Sequence, residues 1–288
     1  MENKLDRIAL LADLSSMDEL LLKYIKKLDT QFEFKQLDII HWLEVEDLPA
    51  GVREALAAEG RSLNDVLTEE LMEQVEAQFG PNNANVNILI RTEKSITDLI
   101  KFIDSSGYDL MLLGKKGYYE GSGILSSKLV RLSKTPCLFV PEMARPSVAA
   151  ILAPIDFSKF SEPVVKLSLK LSQQAEASLE LLHVIKLSMQ FFPYIKDTKD
   201  IKQELKRKAE ERYRQLKKKL DKTPECTMIF GKDEHISKTI YDYAIGEGVD
   251  LIVIGRKGSH NDSDFLIGSV AERLIANDKS IPVLVVNQ

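Results

Sequence analysis

The sequence predicts an α/β protein made of two tandem halves, each an open, five-stranded parallel sheet flanked by helices. Three observations carry that expectation. Short apolar runs alternate with longer stretches of helical period along the whole chain. Those runs are almost continuously apolar, as strands are when helices cover both faces of a sheet. The same blocks then recur, in the same order, in both halves of the 288 residues. A repeat half a chain long is a duplicated domain rather than a solenoid. Domains are expected over 1–143 and 147–288, joined where two prolines bracket Pro141-Glu-Met-Ala-Arg-Pro146.

The second half shows each element in turn. The first strand is expected over 151–155 and ends at Asp156; Ser158 or Ser161 can cap the helix that follows over 162–174. The second strand covers 179–184, and a helix rich in Lys and Arg runs over 201–220. A strand over 226–230 and a helix over 237–246 lead to the fourth strand, 251–254, which passes into Gly255-Arg-Lys-Gly258. Nine residues later Gly268-Ser269 opens a helix over 270–277, and the last strand is 283–286. The first half supplies the matches. Ile8-Ala-Leu-Leu-Ala-Asp13-Leu-Ser15 answers Ile151-Leu-Ala-Pro-Ile-Asp156-Phe-Ser158, and Leu37-Asp-Ile-Ile-His41 answers Leu179-Glu-Leu-Leu-His183. Asp109-Leu-Met-Leu-Leu-Gly114 answers Asp250-Leu-Ile-Val-Ile-Gly255, and Thr135-Pro-Cys-Leu-Phe-Val140 answers Ile281-Pro-Val-Leu-Val-Val286.

Composition narrows the function classes. With 44% hydrophobic and 29% charged residues and a formal net charge of -5, the chain reads as a soluble globular protein and not as a nucleic-acid binder. No run approaches the ~20 apolar residues of a membrane span, and the N-terminus has no signal-peptide pattern, so a cytoplasmic protein without a membrane partner is expected. Cys137 and Cys226 lack Cys-x-x-Cys spacing and read as packed thiols. His235 and His260 have no ligands at metal spacing, so no metal site is expected, while His41 and His183 read as packing or turn residues.

The chemistry concentrates beyond the carboxyl ends of the strands, where ligands of open parallel sheets sit. Gly255 and Gly258 let backbone approach a ligand closely, and Gly268-Ser269 stands at a helix start, where N–H groups and the dipole favour an anion. Arg256 or Lys257 adds positive charge. Asp156 can accept from a base amine or a ribose hydroxyl. Spacing alone leaves the glycines open to an architectural reading as turns and caps.

Ile151-Leu-Ala-Pro154-Ile-Asp156-Phe-Ser158, Leu181-Leu-His-Val184 and Gly255-x2-Gly258-x9-Gly268-Ser269 together resemble the ATP-binding subgroup of the universal stress protein family, here in tandem over nearly the full length. The resemblance implies a Rossmann-like fold of the adenine nucleotide alpha-hydrolase type. It also implies an ATP site, with Mg2+ as companion ion and ADP or AMP as alternatives. The adenine would lie near Pro154, Asp156 and Val184, and Ile254, Gly255, Arg256, Gly258, Gly268, Ser269 and Val270 would hold ribose and phosphates. No single catalytic reaction attaches to the family. A nucleotide-binding regulatory role leads; slow ATP hydrolysis and a nucleotide-free, chaperone-like role are the alternatives. Walker A, His-x-Gly-His, Ser-Gly-Gly-x-Asp-Ser and nucleophile-elbow patterns are missing.

The first half departs from the pattern. After Gly114 and Gly117, the better alignment sets Gly123-Ile124 against Gly268-Ser269, and an ungapped one sets Ser127-Lys128 there. Leu11 stands for Pro154 and Trp42 for Val184; of the three positions expected near the adenine, Asp13 alone keeps its identity. This half is expected to be structural and not to bind ATP in the same mode. The segment from Glu44 to Glu76 is acidic where the second half has its basic helix, which reads either as two solvated faces or as complementary surfaces. The family resemblance further implies pairing of the two halves through their last strands, Cys137–Val140 and Val283–Val286, with a homodimer of the whole chain open.

Overall fold

The computed structural model describes residues 5–43, 50–81, 83–115, 124–187, 199–220, 222–232, 236–258, 267–277 and 280–287. The chain divides into two compact units, Met1–Pro146 and Ser147–Gln288. In the first, the order is β1 (Arg7–Ala12), α1 (Ser16–Phe32), β2 (Gln36–Trp42), α2 (Ala50–Ala58), α3 (Leu63–Phe79), β3 (Val86–Arg91), α4 (Ile96–Ser105), β4 (Leu110–Lys115), α5 (Ile124–Leu132) and β5 (Cys137–Pro141). The second runs β6 (Ala150–Pro154), α6 (Ser161–Ala175), β7 (Ser178–Leu187), α7 (Lys199–Lys217), β8 (Cys226–Lys232), α8 (Ile236–Gly246), β9 (Leu251–Gly255), α9 (Ser269–Asn277) and β10 (Val283–Val286).

Each unit is a parallel sheet with one reversal of strand order. Within the first the order is β3-β2-β1-β4-β5, and within the second β8-β7-β6-β9-β10. Ile8 pairs with both Leu37 and Leu110, and Ile151 with both Leu179 and Leu251, so β1 and β6 occupy the same place in their sheets. The reversal lies between β1 and β4 and between β6 and β9, and the ends of those strands form each unit's switch point.

The apolar runs bury as expected. In the first unit Ile8, Leu10, Ile39, Ile40 and Met111 are essentially inaccessible; in the second Leu152, Leu181, Leu182, Ile252 and Val285 are. Helix α1 shows how sequence makes such an element. Ser15 accepts from Met17 N–H at its start, Asp18 and Glu19 occupy the first turn, and Met17, Leu21, Ile25, Leu28 and Phe32 recur at helical spacing to form the buried stripe. Helix α3 opens on a reciprocal capping box between Ser62 and Asp65.

Three details differ from the sequence reading. Neither Ser158 nor Ser161 caps α6, whose N-cap position is held by Phe160 without a side-chain hydrogen bond. Both hydroxyls are engaged elsewhere: Ser158 Oγ accepts from Phe160 N–H at 3.3 Å, and Ser161 Oγ donates to Asp156 Oδ1 at 3.2 Å. Strand β7 runs three residues past Val184, because β8 stays paired with it as far as Leu187. Where the second unit has the single helix α7, the first has α2 and α3.

The charged helices bury few of their residues. Only Leu71 and Val75 of α3 and Ala209 and Leu216 of α7 are buried. Part of the α7 charge is met within the helix, by Lys208–Glu204 at 2.5 Å and Arg207–Glu211 at 2.6 Å. Exposed pairs of that spacing contribute about 0.3–0.5 kcal/mol each. Among the described residues no helix is long and apolar enough to cross a membrane.

Candidate functional site

Asp156 stands two residues past the end of β6, and its two carboxylate oxygens face different ways. Oδ1 accepts from Ser158 N–H at 3.0 Å and from Ser161 Oγ at 3.2 Å, the local turn that short acidic side chains favour. Oδ2 faces the loop after β9: a Cβ placed on Gly258 would lie 3.0 Å from it. Only glycine lets backbone and carboxylate approach so closely.

The glycines at the two ends of the motif are also pressed against backbone. A Cβ on Gly255 would sit 3.2 Å from Lys257 O and 3.4 Å from Val164 Cγ2 of α6. One on Gly268 would sit 3.2 Å from Arg256 O and 3.7 Å from Gly258 N. Gly268 N–H donates to Arg256 O at 2.7 Å, and Arg256 N–H donates to Val286 O at 3.1 Å, so the start of α9 is tied to the loop and the loop to β10. Asp156, Gly255, Arg256, Gly258 and Gly268 therefore come together although they span more than a hundred residues of sequence.

Helix α9 presents donors beside this cluster. Its first closing bond runs from Glu272 N–H to Gly268 O at 3.0 Å, which leaves the N–H groups of Ser269, Val270 and Ala271 without intrahelical acceptors. Ser269 is exposed, and its hydroxyl is a further donor. Lys159 and Lys257 bring their ammonium groups to 5.1 and 6.0 Å from the Phe160 ring centroid, so cations flank the start of α6.

Pro154, Val184 and Ile254 belong to the sheet itself. Pro154 pairs with Leu182 and Ile254 with Val285, and the side chains of Val184 and Ile254 are buried. Val184 is consequently mid-strand rather than at a strand end. Ile155 N–H donates to Leu182 O, whereas Leu181 N–H donates to Glu225 O, and neighbours along a parallel strand alternate in this way. Val184, two residues beyond Leu182, thus turns its backbone groups to the β6 side, past the last residue of β6.

Two residues outside the sequence-predicted set adjoin the site. His183 Nδ1 lies 2.8 Å from Ile155 O, and the Phe157 ring centroid is 4.3 Å from that of His183. Burial holds His183 below the usual imidazole range, against the opposing pull of the Ile155 carbonyl and of Asp156. Phe157 has a left-handed φ of 60°, uncommon for a bulky residue. The occurrence of a histidine at the same place in both halves was the available signal.

The first unit rearranges the equivalent parts. Position 18, matching Ser161, is an aspartate with its side chain buried, and its carboxylate accepts from Asp13 N–H and, at 2.7 Å, from Leu14 N–H. Asp13, which keeps the identity of Asp156, is turned out to solvent and accepts from Ser15 Oγ at 2.6 Å. A Cβ on Gly114 would collide with Met17 Cγ, so α1 crowds the end of β4. Trp42 Nε1 donates to Glu93 O at 3.0 Å. Gly117 and Gly123 lie outside the described residues, as do His235 and His260; Ile124 begins α5. Among the described residues no cluster of His, Cys, Asp or Glu could hold a metal ion.

Comparison with known proteins places the chain in a family. The universal stress protein family model matches residues 148–287. Universal stress protein MJ0577 of Methanocaldococcus jannaschii is 30% identical over 157 residues, which cover 48% of this chain and 94% of that protein. A universal stress protein from Archaeoglobus fulgidus shares the fold with a TM-score of 0.65 at 17% identity, over 99% of each chain. The functionally unknown protein PA1789 from Pseudomonas aeruginosa does so with a TM-score of 0.65 at 17% identity, over 98% of this chain and 92% of its own. At that identity the structural likeness speaks for the two-unit fold alone, and the near-complete coverage of the 30%-identical relative carries the family. The chain belongs to the universal stress protein family.

Proposed function

We propose that the second unit binds an adenine nucleotide, with ATP as the expected ligand and ADP or AMP as alternatives, and that its occupancy regulates a stress response. The observation that carries this reading is the three-way approach of Asp156, Gly258 and Gly268, in which added Cβ atoms would meet a carboxylate oxygen at 3.0 Å and a backbone carbonyl at 3.2 Å. Bare backbone held this tightly next to a helix start suits phosphate, which needs convergent N–H donors and no intervening side chain.

Each residue then has a defined task. Ser269 and Val270 donate backbone N–H groups to phosphate oxygens, and the Ser269 hydroxyl adds a donor. Gly255, Arg256 and Gly258 line the ribose and phosphates. Asp156 Oδ2 accepts from a base amine or a ribose hydroxyl, and the Val184 backbone, with Pro154 and Ile254 as apolar wall, meets the base edge. The ligand's negative charge is opposed by Lys159, Arg256 and Lys257. No metal ligand is assigned to the protein.

The first unit is the structural partner. Its Asp18 carboxylate takes two backbone donors at the end of β1 and leaves Asp13 facing solvent. Calorimetric titration of the intact chain with ATP, ADP, AMP and cyclic AMP tests the assignment. One nucleotide per chain is expected; two would overturn the role given to the first unit, and none would overturn nucleotide binding altogether.

A further inference from the structure

We propose that His183 is a positioning residue for this site: it holds the residues on both sides of Asp156 and so fixes the turn that carries the Asp156 carboxylate, whose direction Ser161 then sets. This role rests on the reading of the second unit as a nucleotide site.

A carbonyl oxygen only accepts, so the 2.8 Å contact with Ile155 O requires His183 to carry its hydrogen on Nδ1. That bond holds the residue immediately before Asp156. The opposite flank is held by the ring contact with Phe157, the residue immediately after, at 4.3 Å between centroids and a 39° tilt. Phe157 has the left-handed φ of 60°, a conformation that a large side chain keeps only when its surroundings impose it. Phe157 also meets Tyr213 of α7, at 6.3 Å between centroids. One imidazole, reaching across from β7, therefore clamps the turn that carries the carboxylate.

The first unit shows the backbone part of the device separated from the carboxylate. His41 Nδ1 lies 3.0 Å from Ala12 O, and Leu14 has φ 58°, so the turn is held in the same way. Asp13 nevertheless faces solvent, because Asp18 stands where the second unit has Ser161. The histidine sets the turn, and the residue five positions after the aspartate sets the side chain. Only in the second unit do both act toward Gly258.

Three variants of the full chain separate positioning from general support. His183→Phe keeps a ring against Phe157 without the donor, His183→Asn keeps a donor near the Nδ1 position, and His41→Phe makes the same lesion in the first unit. Loss of one part-buried hydrogen bond to the turn should weaken ATP binding by roughly 5–30-fold in His183→Phe, read by calorimetry. His183→Asn should recover most of that loss, and His41→Phe should bind ATP as the unaltered chain does, even where its melting temperature falls equally. Equal losses in His183→Phe and His41→Phe, or unchanged affinity in His183→Phe, overturn the proposal. Nitrogen-15 shifts of the His183 imidazole in the unaltered, ligand-free protein provide an independent test: hydrogen on Nδ1 supports the clamp, and hydrogen on Nε2 alone overturns it. Absence of adenine-nucleotide binding in the unaltered chain overturns the functional reading, while the tautomer still decides whether the clamp exists.

Discussion

Replacing Gly258 by alanine puts one methyl group into the narrowest approach of the site. The new carbon lies 3.0 Å from Asp156 Oδ2, closer than carbon and oxygen ordinarily pack, so loop or carboxylate must give way slightly. The carboxylate is the softer of the two, yet its other oxygen is held by Ser158 N–H at 3.0 Å and Ser161 Oγ at 3.2 Å. Swinging Oδ2 away strains both bonds and misdirects the acceptor offered to the ligand. With about 1 kcal/mol for each weakened bond, the loss comes to ~1–2 kcal/mol, or roughly 5–30-fold in Kd. The assay is calorimetric titration of the intact chain with ATP, with thermal melting to follow the fold. Gly246→Ala is the control, because nothing lies within 4 Å of a Cβ there. A Kd for Gly258→Ala within about twofold of the unaltered chain would show that this approach does not shape the site.

Other substitutions and conditions read different parts of the structure. Gly231→Ala would place a methyl 2.5 Å from Val184 Cγ1 and 3.3 Å from Thr239 Oγ1; the overpacking should lower stability by about 1–3 kcal/mol in urea unfolding. Unchanged stability would show that Val184 has room to move. His183 titrates below its ordinary value of 6.5 because of burial, with Asp156 opposing and Arg212 adding to the shift. Below pH 6.5 the unfolded chain binds more protons at this site than the folded one. The His183 contribution to stability is therefore complete above pH 6.5 and lost as pH falls toward the folded value. Urea midpoints at about pH 7.5 and about pH 5.5 should differ less in His183→Asn than in the unaltered chain; equal differences would refute this. Burial also pushes the Cys226 thiol up to about 12, and Cys137 is fully buried. Alkylation at about pH 8 should be far slower than for a free thiol until the protein is unfolded, and rapid labelling of folded Cys226 would contradict its placement.

Much of the fold was legible because a parallel sheet covered by helices leaves a plain mark. Runs such as Leu251-Ile-Val-Ile254 have no wet face to punctuate them, and the repeated blocks established which runs answer one another. Element ends were less legible. The end of β7 at Leu187 depends on β8 remaining beside it, and the start of α6 depends on Ser158 and Ser161 having other partners. The glycine spacing was readable for the same reason that it matters, since Gly258 and Gly268 stand where a Cβ would be tightly crowded.

Asp13 and Asp156 mark the limit. Both follow an apolar strand and stand two positions before a serine, yet one faces solvent and the other faces the glycine loop. The difference comes from Asp18 and Ser161: a second carboxylate captures the turn's N–H groups and excludes the first, whereas a hydroxyl donates to the first and holds it in place. The order of residues was enough to establish the duplication, the α/β class and the residue types able to meet a phosphate. Which aspartate points inward, which backbone edge of β7 lies past β6 and what His183 holds were settled by the folded chain. Hydrophobic burial writes a periodic pattern along the sequence, but a few polar groups competing for shared partners resolve that competition only once folding brings them together.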